Sequence, residues 1–273
     1  VKTMAAALLL LLVACGQSSR PASPDLEQAR SADEISRRVR LGDHREATQL
    51  LDRELAHGSR HPRLLCLKGR LLLQQGGEEA AGEAVPWLEQ AVAASPLWFE
   101  PRAALAEAYL RLGRRGAADA VFAEVDRLWS DHPVGPWGRA QVALLSGRNE
   151  DADRLLAEAL GRDPTFTPAL KLRAYVARQR NDADTQREQL ERYLAQRPRD
   201  AEAHLELGGL YESANRLEDA KRAIARAWEL EPAPHVAGRV AAIARRQGRA
   251  DEAETWDRRA GAAVPVDQAP PPP

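Results

Sequence analysis

A Gly or Asn recurs at Gly42, Gly76, Gly113, Gly147, Asn181, Asn215 and Gly248, at gaps of 34, 37, 34, 34, 34 and 33 residues. Gly and Asn enter the left-handed backbone conformation cheaply, and that conformation ends helices. A helix terminator every 34 residues implies one helical hairpin, repeated. Other positions keep the register. Five residues after the marker comes Ala47, Ala118, Ala152, Ala220 or Ala253, with Gln186 the exception. In the second repeat Ala84 follows Gly76 by eight residues, so the spacing predicts a three-residue insertion in the turn from Gly76 to Glu83. Seven residues before the marker stand Ile35, Gly69, Ala106, Ala140, Ala174, Gly208 and Ala241, mostly small. Pro96, Pro164, Pro198, Pro232 and Pro265 close most units, with Ser130 in the place of one.

Two antiparallel helices of about twelve to fifteen residues and two short turns fill such a repeat. Small residues let the backbones approach, and the closing Pro stops the second helix. Each hairpin leaves an apolar face bare, so neighbours must stack.

This pattern resembles the tetratricopeptide repeat. The sixth unit is the clearest copy: Leu207-Gly208-x-x-Tyr211, then Asn215, Ala220, Ala227 and Pro232. The third, with Leu105-Ala106-x-x-Tyr109, Gly113, Ala118 and Phe122, is nearly as good, while the first and fifth are degenerate. Sel1-type repeats are similar but have longer periods. The resemblance implies an all-α, right-handed superhelical solenoid of antiparallel helix pairs. Seven repeats are expected over 28–265, bounded as 28–61, 62–98, 99–132, 133–166, 167–200, 201–233 and 234–265.

The N-terminus adds a second feature. Ala5 to Ala14 is an unbroken apolar run preceded by Lys2 and ended by Cys15. Ten apolar residues fall short of the roughly twenty needed to span a bilayer, and the layout is that of a secretory signal over 1–14. Leu12-Val13-Ala14-Cys15 resembles the bacterial lipobox, which implies cleavage before Cys15 and its acylation. Gly16 follows, where Asp would signal inner-membrane retention in enterobacteria, so the expected site is the outer membrane, facing the periplasm. Several acyl chains give stable anchoring, whereas one is marginal. Residues 15–27 then read as the acylated Cys and a polar tether, and 266–273 as a Pro-rich tail without a core. The chain opens with Val, for which a non-standard start codon or a shortened chain would each account.

Composition agrees with helices: 44% apolar residues but only 5% aromatic. Lys and Arg number 39 against 40 Asp and Glu, a balance that argues against nucleic acid, which needs a basic surface.

Residues that could carry chemistry are scattered. Cys66, between Leu65 and Leu67, reads as a small buried hydrophobe. His57 and His61 are four apart, but Gly58 and Ser59 lie between them where a helix should stop. No glycine-rich phosphate loop and no Gly-x-Ser-x-Gly elbow is present. The expectation is a non-enzymatic chain without metal or cofactor, since the repeats leave too little sequence for a catalytic domain.

Trp87, Trp98, Trp129, Trp228 and Trp256 fall at packing positions. The resemblance places an inner wall on the first helix of each repeat. Mapped onto the fourth to sixth repeats, it gives Trp137, Gln141, Leu144 and Leu145, then Lys171, Tyr175, Arg178 and Gln179, then Glu202, Leu205, Gly209, Glu212 and Ser213. Trp137, Gln141, Lys171, Tyr175, Arg178 and Leu205 form the expected partner-binding groove, with Trp137 and Tyr175 as anchors. Lys171 and Arg178 would meet acidic groups on the partner. Tyr175 stands where a chaperone-tail clamp needs Asn or Arg, so that subtype is excluded. The functional expectation is a protein-binding adaptor in an envelope assembly. The alternatives are a pilotin-like factor for a type IV pilus secretin and a regulatory subunit of envelope polysaccharide or peptidoglycan enzymes.

Overall fold

The structure, a computed structural model, describes residues 24–262. The signal segment 1–14, Cys15, most of the tether and the tail 266–273 lie outside the described residues. Among the described residues every regular element is an α-helix. They are α1 (Pro24–Leu41), α2 (His44–Ala56), α3 (Pro62–Gln75), α4 (Gly77–Ala94), α5 (Phe99–Arg111), α6 (Arg115–Leu128) and α7 (Val134–Leu145). Then follow α8 (Asn149–Arg162), α9 (Thr167–Gln179), α10 (Ala183–Gln196), α11 (Ala201–Ser213), α12 (Leu217–Leu230), α13 (Pro234–Arg246) and α14 (Ala250–Ala262). The fold is all-α and built of helical hairpins. One difference from the sequence reading is that α1 starts at Pro24, inside the expected tether. Pro is well placed in a first turn, whose N–H groups have no helical acceptor.

All seven markers have a positive φ, from 55° at Asn215 to 87° at Gly42, although Gly76, with ψ 175°, is extended rather than helical. Six of the turns close with the same bond. The residue after the marker donates its N–H to the carbonyl five residues back: Asp43 to Arg38, Arg114 to Tyr109, Arg148 to Ala143, Asp182 to Ala177, Arg216 to Tyr211 and Arg249 to Ala244, at 2.8–3.0 Å. This bond satisfies a carbonyl that a helix end would otherwise leave without a donor. Second helices stop just before proline: Ser95, Asp163, Arg197 and Glu231 are the C-caps of α4, α8, α10 and α12, and Pro follows each.

The second repeat corrects the sequence reading. Its three extra residues do not enlarge the turn; they lengthen α4 to 18 residues, with Gly76 alone between α3 and α4. Glu78, Glu79, Ala80 and Ala81 are good helix formers, and acidic residues suit a first turn. Pro86 sits inside α4, but it and Gly82, whose carbonyl it leaves without a helical donor, are both exposed.

The chain divides into two compact units, 1–121 and 122–273, with the division inside α6. In the first, α1 packs on α2, α3 on α4, and α4 on α5. Its core includes Ile35, Leu51, Leu64, Leu65 and Leu88, all nearly or fully buried. In the second, α7 packs on α8, α9 on α10, α11 on α12 and α13 on α14. One cluster gathers Leu156, Leu170, Val176 and Leu190, and another Ile224, Val240, Ile243 and Trp256. The small positions do what the spacing required. Ala47, Ala84, Ala118, Ala152, Ala220 and Ala253 are buried, as are Ala106, Ala140, Ala174 and Ala241. At Gly69 and Gly208 the opposite helix leaves no room for a Cβ.

Candidate functional site

The face shared by α7, α9 and α11 lies wholly within the second unit. On α9, Lys171, Tyr175 and Arg178 follow at helical spacing, so they share one side. Tyr175 is 40% exposed, unusual for a large ring, and Leu145 at the end of α7 is 50% exposed. Arg178 lies 5.0 Å from the centre of the Tyr175 ring, a cation–π arrangement. Gln141, Leu144 and Leu205 are half-buried.

The six expected groove residues do not form one contiguous patch. Trp137 is half-buried and meets Phe166 edge-on, with ring centres 5.8 Å apart. Its indole N–H is buried and finds no acceptor among the protein atoms. Trp137 is thus partly a core residue, packed on the cluster of α7 to α11. Leu205 packs instead against the cluster of α12 to α14. Tyr175 and Leu145 are the apolar side chains left open.

The cations differ from expectation. Both already have acidic partners within the chain. Lys171 Nζ donates to Asp200 Oδ2 at 3.1 Å and lies 5.4 Å from the centre of the Tyr193 ring. Arg178 Nη1 donates to Glu206 Oε1 at 3.3 Å. Further along, Arg239 of α13 pairs with Glu212 of α11. Each pair joins the first helix of one hairpin, or its cap, to that of the next, at separations of 29, 28 and 27 residues. Asp200 and Glu206 are absent from the sequence reading. The signal available was this separation, a few residues short of one repeat.

Asp200 is held by three donors. Its Oδ1 accepts from Ala203 N–H, capping α11, and its Oδ2 from the Tyr193 hydroxyl at 2.7 Å and from Lys171. Burial pushes the Asp200 carboxyl up, but these donors outweigh it and hold the carboxyl below the usual range. On Lys171 burial pulls down, yet the bond to Asp200 prevails and raises the ammonium. Beside them opens a cleft of about 770 Å³, lined among others by Tyr193, Arg197, Arg199, Asp200, Glu202 and Glu231.

The degenerate fifth repeat also carries a polar feature. Gln186, in a position elsewhere held by Ala, is buried, and its Nε2 donates to Glu206 Oε1 at 2.6 Å. Glu206 is therefore fixed from two sides, by Gln186 and Arg178.

The Tyr193 hydroxyl, bonded to Asp200, is held above the usual phenol range by burial and by that carboxylate. Cys66 is buried in the first unit, and burial pushes its thiol up to about 12, the opposite of an activated cysteine. His57 follows the end of α2, while His61 caps α3 by accepting from Arg63 N–H. Among the described residues no group of three or more His, Cys, Asp or Glu could hold a metal ion. Nor, among them, is any helix long and apolar enough to cross a membrane.

The tetratricopeptide-repeat family profile matches residues 33–97 and 171–235. Those two segments carry tetratricopeptide repeats. Solved tetratricopeptide structures share the fold. PilW, described as a widely conserved type IV pilus biogenesis factor, aligns with TM-score 0.63 at 17% identity, over 75% of this chain and 93% of that one. YrrB, described as a tetratricopeptide protein with an unusual peptide-binding site, aligns with TM-score 0.53 at 15% identity, over 66% of this chain and 93% of that one. In sequence, a human protein O-mannosyl-transferase, TMTC2, is 30% identical over 113 residues, which are 40% of this chain and only 13% of that protein. Tetratricopeptide repeats serve as scaffolds for protein–protein interaction.

Proposed function

We propose that the protein is a non-enzymatic adaptor that holds a segment of a partner protein on the face of α7, α9 and α11, anchored at Cys15 to the periplasmic side of a bacterial outer membrane. The observation that carries the binding part is Tyr175. A tyrosine ring 40% open to solvent and braced by Arg178 has the chemistry of an interaction anchor. YrrB, which shares the fold, is a peptide binder by its description. The anchoring part is supported by Leu12 to Cys15 in the sequence. The test is site-specific photo-crosslinking in the living cell. A photoreactive residue at 145 or 175 should capture a discrete protein that one at Arg222, exposed on α12, does not. Equal capture at Arg222 would move the recognition surface away from this face.

An assembly factor for a pilus secretin is the second reading. PilW, a pilus biogenesis factor, shares the fold. Capture of a secretin subunit at 175 would select it.

A further inference from the structure

The chemistry of the occupant can be narrowed, an inference that rests on the α7–α9–α11 face being the docking face. Lys171 and Arg178 share the side of α9 that bears the exposed Tyr175, and each has an acidic partner within the chain. Lys171 is committed to Asp200, which Ala203 N–H and the Tyr193 hydroxyl also hold in place. Arg178 is committed to Glu206, which Gln186 holds in turn, and its guanidinium lies over the Tyr175 ring. Arg239 is committed to Glu212. Three cations thus meet these three carboxylates, and Glu202 adds an exposed fourth beside Lys171. An acidic segment docking beside Tyr175 would have to compete with Asp200 and Glu206 for Lys171 and Arg178 and would meet the carboxylate of Glu202 as well. What the face offers without competition is apolar: the exposed side chains of Leu145 and Tyr175.

We propose that the occupant is a segment of little net charge that binds through aliphatic and aromatic side chains, and that Asp200 and Glu206 set this preference by occupying the cations. They act as specificity-determining residues through exclusion: the internal counter-ions reject acidic competitors rather than attract the right partner. Gln186 belongs to the same device, since a buried amide in place of alanine fixes Glu206 in position to hold Arg178.

The test selects binders from a displayed library of random twelve-residue peptides, using the full chain held in detergent and its Asp200→Asn/Glu206→Gln variant. The first substitution retains the side-chain acceptor that caps α11, and the second keeps an amide oxygen as a partner for Gln186, so the helical signal is expected to persist. Glu206→Gln alone serves if the double variant unfolds. From the unmodified protein, the enriched peptides should be near neutral, rich in large apolar residues, and weakened by Tyr175→Ala. Their affinity should change less than about threefold between roughly 50 and 500 mM salt. The variant should enrich acidic peptides whose affinity falls about tenfold or more over that range. Acidic, salt-sensitive peptides from the unmodified protein would overturn the proposal, as would an unchanged preference in the variant. Enriched peptides indifferent to Tyr175→Ala, or no enrichment at all, would instead remove the docking face itself, and this inference with it.

Discussion

Gly208 lies against Ile224 with no room for a side chain: a Cβ on Gly208 would stand 2.4 Å from Ile224 Cγ1. Ile224 is fully buried and cannot retreat freely. The two residues fix how closely α11 and α12 cross. Gly208→Ala should therefore cost roughly 1–3 kcal/mol by overpacking, and Gly208→Leu more. Gly238, inside α13, has nothing within 4 Å of the same construction. Gly238→Ala should stabilise by about 0.5–1 kcal/mol, since it only removes backbone freedom from the unfolded chain. Chemical denaturation followed by circular dichroism would separate the pair, and equal shifts would contradict the close crossing.

Asn181 ends α9 at φ 56°. Asn181→Gly should leave stability within a few tenths of a kcal/mol, because glycine takes that conformation without a steric penalty. Asn181→Val should cost about 1–2 kcal/mol. If valine were tolerated like glycine, the turn would not be holding a left-handed residue.

Trp137 and Tyr175 should part company. Trp137 is packed on Phe166, so Trp137→Ala should cost about 2–3 kcal/mol of stability, somewhat less than for a fully buried Trp. Tyr175→Ala, at an exposed site, should cost under about 1 kcal/mol yet weaken partner binding about thirtyfold. Melting curves and titration with the captured partner would measure both. A Tyr175→Ala protein that bound normally would remove the anchor.

Acid should loosen the junction of α9, α10 and α11. The Asp200 carboxyl is depressed in the folded protein, so its contribution is fully present above the unfolded value of about 4 and is lost as pH falls through the lower folded value. Lys171 has the opposite sense. Its raised ammonium contributes below the unfolded value of about 10.4 and is lost only as pH rises beyond it. Between about pH 5 and 9 the pair should be indifferent to pH. Asp200→Asn should flatten the stability profile below about pH 4 without altering its shape near neutrality. A profile that stayed parallel to the unmodified protein down to about pH 2 would show that Asp200 is not depressed.

Membrane attachment should depend on Cys15. Cys15→Ser should leave an unprocessed or soluble protein, read by fractionation and acyl labelling. Label and membrane retention unchanged by the substitution would remove the anchor at this residue.

Much of the backbone is legible in the sequence because its signals are steric. Left-handed turns restrict residue choice, so Gly147 and Asn215 mark themselves, and close crossings exclude bulk, so Ala140 and Gly208 do too. Gly138 obeys the same steric rule in a less periodic place. A Cβ there would fall 2.2 Å from the Phe122 ring, but Gly138 stands outside the recurring small position and so goes unmarked. Lys171 and Arg178 can be placed on one face of α9, but their commitment cannot be read. An ion pair depends on which residues of the next hairpin come alongside, and single-helix periodicity carries nothing about that. Asp153 makes the same point. It accepts from both Arg173 and Arg180 at 2.8 Å, across 20 and 27 residues.

The long helix α4 shows how an array of this kind can change length. Three extra residues extend a helix by about 4.5 Å, and the first three of α4, Gly77, Glu78 and Glu79, are exposed. Leu88, which meets Gly69, keeps its place, and the next marker, Gly113, still closes its turn as the others do. Insertions at the beginning of a second helix therefore project outward and leave the downstream phase intact. Insertions between Ala84 and Ser95 would instead rotate the buried positions that follow in α4, such as Leu88 and Ala91. Tolerance to growth is thus polarised along this hairpin, the start of its second helix being open to elaboration and the stretch beyond Ala84 locked by its own spacing.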